Sequence, residues 1–172
     1  GKNIKAGNKA INLKSLKDYG LCVPDTYVLI AKRKTEKYNN NICKYISEAI
    51  IYYNLKYPVI LRSSFFDEDT PEFSNAGKYE SPIISNELEI SNALEKIYSN
   101  GNEKKNEISI IVQEFIEGDY SGIVFSTDPL NNDKGIVVEY NKGRGEFVTS
   151  GKKIQIQFMK LKNHNTLIQN WN

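Results

Sequence analysis

Three short stretches carry residues whose types and spacing suit phosphate chemistry. In Gly7-Asn8-Lys9-Ala10-Ile11-Asn12-Leu13, a lysine stands at the mouth of a helix, where free backbone N–H groups and the helix dipole favour an anion. A phosphate fits there, and so does the plainer alternative of a solvated lysine. Val59-Ile60-Leu61-Arg62-Ser63-Ser64 reads as an apolar strand closing on an arginine, so the guanidinium projects from the carboxyl edge of a sheet, where ligands of α/β folds bind. Its planar fork of donors suits phosphate oxygens, and equally suits the nearby carboxylates of Asp67, Glu68 or Asp69. The small residues of Ser74-Asn75-Ala76-Gly77-Lys78 let a backbone lie close to a ligand, although a simple hairpin turn asks for the same types.

These residues need elements to position them. Ala10, Leu13 and Leu16 form one helical stripe over residues 9–19, with Gly20 as a left-handed stop. After Pro24, Tyr27 to Ile30 reads as a strand. Ile42, Ile46 and Ile50 recur at four-residue steps and predict an amphipathic helix between Thr35 and Tyr53, followed by a strand at Tyr57 to Leu61. Ser63 to Lys78 has the composition of a long loop, and loops of that length in compact domains are commonly functional. Asn86 and Glu89 are spaced as a capping box before a helix carrying Ile90, Leu94 and Ile97. Strands are expected at Ile108–Phe115, Tyr120–Thr127, Gly135–Glu139 and Lys153–Met159, making the second half a mostly antiparallel sheet.

Composition narrows the classes. At 172 residues, the chain fits one domain or two small lobes, and 40% hydrophobic with 26% charged residues is a globular balance. A net charge of +2 argues against a dedicated nucleic-acid surface. No apolar run approaches the roughly 18 residues of a membrane span and no signal-peptide core opens the sequence, so the expectation is a cytoplasmic protein without a membrane partner. Cys22 and Cys43 form no Cys-x-x-Cys pair and are expected to be buried thiols.

Taken in order, the motifs resemble the nucleotide-binding N-terminal region of the phosphoenolpyruvate synthase and pyruvate phosphate dikinase family. The opening resembles the family's Gly-Gly-Lys-Gly-x-Asn-Leu, and Gly20 to Leu29 its Gly-x-x-Val-Pro-x-x-(Tyr/Phe)-x-(Val/Leu) strand. Leu61 to Asp69 is similar to Val-Arg-Ser-Ser-x-x-x-Glu-Asp, and Ser74 to Gly77 to Ser-Phe-Ala-Gly. Ser121 to Pro129 resembles the Ser-Gly-Val-x-Phe-Thr-x-Asp-Pro hairpin. Val138-Glu139, Gly143-Arg144-Gly145-Glu146 and Ser150-Gly151 resemble the closing Glu-Ala, Gly-Leu-Gly-Glu and Ser-Gly series.

The resemblance implies an α+β, ATP-grasp-like fold, with an N-terminal lobe at 1–105 and a C-terminal lobe at 106–172, their mostly antiparallel sheets and flanking helices enclosing a nucleotide cleft. It assigns Lys9 and Arg62 to the ATP phosphates, with the loop of Ser74, Ala76 and Gly77 closing over them. Gln113, Glu114, Phe115 and Ile116 become an adenine hinge, with Glu117 or Asp119 toward the ribose. Glu139 becomes the Mg²⁺ ligand, joined by Gln155 or Gln157. The implied activity is transfer of phosphate from ATP to a histidine on a separate domain or chain.

Some positions depart from the family pattern. Asn8 and Ala10 replace glycines, and Arg144 replaces a leucine. The one histidine, His164, sits in Asn163-His164-Asn165-Thr166, unlike the family's Thr-x-x-Ser-His, and reads as a surface residue. A phosphoenolpyruvate-binding barrel, which needs about 250 residues, does not fit in this length. Two other readings stand beside the phosphotransferase: a degenerate, noncatalytic nucleotide-binding or protein-interaction module, and an ATP-grasp ligase, whose fold would agree but whose signatures would not.

Overall fold

A computed structural model of the chain describes residues 6–32, 36–64, 69–70, 73–74, 80–99, 107–127, 134–145, 148, 157–162 and 165–170. It is an α+β protein of two compact units, Gly1–Ile116 and Glu117–Asn172.

The first unit contains, in chain order, α1 (Gly7–Asp18), β1 (Thr26–Lys32), α2 (Glu36–Tyr52), β2 (Val59–Ser63), β3 (Asp69–Thr70), β4 (Phe73–Ser74), β5 (Ile83–Ile84), α3 (Ile90–Ser99) and β6 (Glu107–Glu114). An antiparallel sheet of order β1-β6-β2-β5 forms its centre. Ile42, Ile46 and Ile50 of α2 and Ile90, Leu94 and Ile97 of α3 bury against Val59 and Leu61 of β2 and Ile110 and Val112 of β6. The four-residue spacing of the isoleucines thus yields a helix whose one face is core, as the periodicity requires. A smaller cluster, Ala6, Ala10 and Ile111 with Leu13 against it, seats the start of α1. Because Ile111 alternates with the core residues Ile110 and Val112, α1 lies on the opposite face of the sheet from α2 and α3.

Helix ends follow the sequence closely. Gly20 takes φ +79°, and the bonds Leu21 N to Leu16 O (3.1 Å) and Gly20 N to Lys17 O (3.0 Å) close α1 in a Schellman motif. At the other cap, Asn86 Oδ1 accepts from Leu88 N at 3.0 Å, while Glu89 accepts from Asn86 Nδ2 at 3.0 Å and from Ser85 N at 2.8 Å. A single 3₁₀ turn, Glu87–Glu89, leads from this cap into α3. Asn86→Ala is expected to lower stability by about 1 kcal/mol, read as a shifted urea midpoint at unchanged slope; an unmoved midpoint would mean that the cap contributes nothing.

The second unit is an antiparallel meander, β7 (Tyr120–Thr127), β8 (Lys134–Lys142), β9 (Gln157–Lys162) and β10 (Asn165–Asn170), in the sheet order β10-β9-β8-β7. Among the described residues, no helix is long and apolar enough to cross a membrane.

Several expectations shift. The units divide after Ile116 instead of after residue 105, because β6 pairs with β1 on one side and β2 on the other and so belongs at the centre of the first sheet. Within the expected long loop β3 and β4 pair antiparallel, Asp69 opposite Ser74 and Thr70 opposite Phe73. β2 runs to Ser63, so Arg62 is inside the strand and not at its last position. β10 was not anticipated. Cys22 is exposed instead of buried, and Cys43 is half-buried, its thiol pushed up by burial. His164 lies outside the described residues.

Candidate functional site

The end of β2 carries Arg62 and takes a bond from Lys9, whereas Gln113 and Glu114 pair with the start of β2, at Ile60 and Val59. Along β2 burial alternates, with Val59, Leu61 and Ser63 buried and Ile60 and Arg62 half-buried. Arg62 pairs in register with Ile111, on which the first turn of α1 rests, so Arg62 and α1 share one face of the sheet. Lys9, half-buried in that first turn, donates from Nζ to the carbonyl of Ser63 at 3.1 Å. The solvated reading of Lys9 is therefore replaced by a placed ammonium, one of whose donors is fixed to the residue after Arg62.

The junction beneath these two cations is tight. Ser64, 2% exposed, donates from Oγ to Ala6 O at 2.9 Å and accepts from Ala10 N at 3.1 Å. Its own N–H bonds Ser109 O at 2.9 Å, extending the β2–β6 ladder by one residue. Gly7, at φ +72°, packs on it so closely that an added Cβ would lie 2.5 Å from Ser64 Oγ and 2.6 Å from its carbonyl carbon. Only glycine suits both the dihedral and the space. Ala10, one of the replaced glycines, turns its methyl into the cluster with Ile111.

At the end of β6, Gln113 is 6% exposed, and its Nε2 donates to Thr26 Oγ1 at 2.7 Å. Glu114 N donates to Asp25 O at 2.9 Å and Phe115 N to Pro58 O at 3.1 Å. Those two N–H groups, expected to face a purine, are engaged within the protein; Ile116 is exposed just beyond them. Ser74 lies in β4, whereas Ala76 and Gly77 fall outside the described residues, as do Asp67 and Glu68.

In the second unit, Glu117 pairs with Arg144 at 3.1 Å, both side chains largely exposed. The arginine that replaces the family's leucine thus has a carboxylate partner in the residue expected to reach a ribose. Beside it, Gly143 N donates to Asp119 O at 2.7 Å and Ser121 Oγ to Gly143 O at 2.5 Å, which closes the two loops on each other. Glu139 is half-buried on β8, two residues from Asn141, which is 4% exposed. Asn141 Oδ1 accepts from Lys142 N at 2.8 Å, so of the two side chains Glu139 is the one suited to a hard cation. Gln157 pairs with Tyr140, one position away from Glu139, and Gln155 lies outside the described residues. Among the described residues no three His, Cys, Asp or Glu side chains gather as a metal site.

In the sequence Ser64 stands out only as the second serine after Arg62. The available signal was a second serine directly after a buried strand, at a place where only a side chain with both a donor and an acceptor could join two backbone groups.

A model of the family described as pyruvate phosphate dikinase, AMP/ATP-binding domain, matches residues 33–170. The matched stretch takes in Arg62, the hinge segment and Glu139, and begins after Lys9. The chain is 27% identical over 184 residues to the uncharacterized phosphotransferase YvkC of Bacillus subtilis, which covers 85% of this chain and 22% of that protein. It is 27% identical over 127 residues to a probable phosphoenolpyruvate synthase of Methanothermobacter thermautotrophicus, covering 65% of this chain and 18% of that protein. The chain therefore spans about a fifth of the length of these curated relatives. Among solved structures, the D-alanine-D-alanine ligase of Coxiella burnetii aligns over 96% of this chain and 47% of its own, at 10% identity and a TM-score of 0.43.

Proposed function

The chain belongs to the pyruvate phosphate dikinase AMP/ATP-binding domain family, and on that premise we propose that it binds ATP with Mg²⁺ and delivers phosphate to a histidine carried on a separate domain or chain. The observation that supports this most is the placement of Lys9 and Arg62 on one face of the first sheet, joined through Ser63. Two cations at that spot neutralise charge on a triphosphate as the transferred group moves in line, which is most of what catalysis of phosphoryl transfer requires. Arg62 supplies a planar fork for two oxygens, and Lys9 a compact charge.

On this reading the purine meets the backbone near Ile116, past the N–H groups that Asp25 and Pro58 already occupy. Glu117 or Asp119 takes the ribose hydroxyls, which for Glu117 requires exchange with Arg144; an exposed ion pair of this kind is worth only about 0–1 kcal/mol and yields readily. Glu139 would hold Mg²⁺, a hard cation that takes oxygen ligands and would neutralise phosphate charge when bound. A cytoplasmic location, as expected from the sequence, goes with this activity.

Calorimetric titration with Mg·ATP is expected to give a saturable isotherm, and stability is expected to rise by about 2.7 kcal/mol when free ATP reaches 100 times its Kd. A flat titration at millimolar ATP, with the protein demonstrably folded, would remove the nucleotide from this reading.

A further inference from the structure

We propose that Ser64 is the positioning residue of the phosphate site, a hydroxyl clamp that fixes the first turn of α1, and with it Lys9, to the strand that carries Arg62; this rests on the reading of Lys9 and Arg62 as phosphate contacts. In a regular helix Ala10 N–H would donate to Ala6 C=O, four residues back. Here the Ser64 hydroxyl also bonds both members of that pair, donating to Ala6 O and accepting from Ala10 N. Its donor and an acceptor site are thus both committed to the first turn of α1, and its backbone is held in the ladder through Ser109.

The rest of α1 could not supply that precision. Its anchor on the sheet is Ala6, Ala10 and Leu13 against Ile111, mostly methyl-sized contacts, and from Lys14 to Asp18 every side chain is exposed. A helix seated so lightly is free to tilt or slide unless polar bonds fix it. The Ser64 clamp and the Lys9 bond to Ser63 grip it on either side of the same strand end, immediately after Arg62. Gly7 is what admits the hydroxyl, since its positive φ and missing Cβ let the turn close down on Ser64.

The test uses the full chain. In Ser64→Ala, amide exchange in α1 is expected to quicken by about tenfold or more while α3 and β6 exchange as in the wild type, and the Kd for Mg·ATP to rise about tenfold, the effect of one lost hydrogen bond. Gly7→Ala is expected to produce the same two changes by pushing the turn off Ser64. Combining the two substitutions should then weaken ATP no more than the stronger single change, because both act at one junction. Unchanged exchange in α1, a loosened α1 with wild-type ATP affinity, or collapse of the whole fold in Ser64→Ala would each overturn the proposal. A wild-type chain that binds no ATP would instead sink the reading beneath it, a result visible before any substitution is made.

Discussion

Leu61→Ala is expected to lower the unfolding free energy of the first unit by about 2–5 kcal/mol, the range for truncating a buried leucine when its surroundings relax only in part. Leu61 has no exposed surface, faces Val112 across the β2–β6 ladder, and sits in the cluster that α2 and α3 cover. Domains of this size have only about 5–15 kcal/mol in total, so the variant should be visibly less stable. Urea unfolding followed by far-UV circular dichroism measures it, with the midpoint falling and the slope held. A loss below about 1 kcal/mol would show that β2 is not the strand on which this core is built.

The next residue along the strand should behave in the opposite way. Arg62→Ala is expected to weaken Mg·ATP by about 1.5–3 kcal/mol, the range for a hydrogen bond to a charged group, while the ligand-free melting temperature changes little. Side chains of adjacent strand residues point to opposite faces, which gives Leu61 to the core and Arg62 to the face carrying α1. Arg62→Lys should fall between wild type and alanine, because an ammonium keeps the charge and loses the fork. Calorimetry on folded protein separates the outcomes. If Arg62→Ala melts early and binds ATP normally per folded molecule, Arg62 is a structural partner and its role at the phosphates is wrong.

Much of this arrangement was legible locally. The isoleucine repeat of α2, the glycine stop of α1 and the Asn86–Glu89 cap are each written within a few residues, because helical periodicity and capping are short-range physics. Lys9 and Arg62 could be singled out from type and position, and both meet the end of β2. What failed was whatever depends on pairing at a distance. Thr26 and Gln113, hydrogen-bonded and in register, are 87 residues apart, and nothing in the run Ile108–Phe115 says which sheet it enters. The same holds for Ser64, whose role appears only once Ala6 and Ala10 come to it across 58 and 54 residues. Cys22 was misplaced because a small apolar residue carries no local mark of exposure, and the Glu117–Arg144 pair joins two loops that the sequence separates by 27 residues.

The position of β6 has a consequence for how the chain acquires its structure. The strand made last in the first unit is the one that the sheet needs at its middle, so β1 and β2 emerge from synthesis with no strand between them. Until residues 107–114 arrive, both present open hydrogen-bonding edges and a hydrophobic face, the features by which nascent chains pair wrongly with one another. Closing the sheet also means closing loops of several tens of residues before any contact repays them, which places this unit among the slower-folding topologies. A boundary drawn at residue 105 would cut away the central strand, leaving α2 and α3 to cover half a sheet, and any excised fragment meant to fold by itself must reach Ile116.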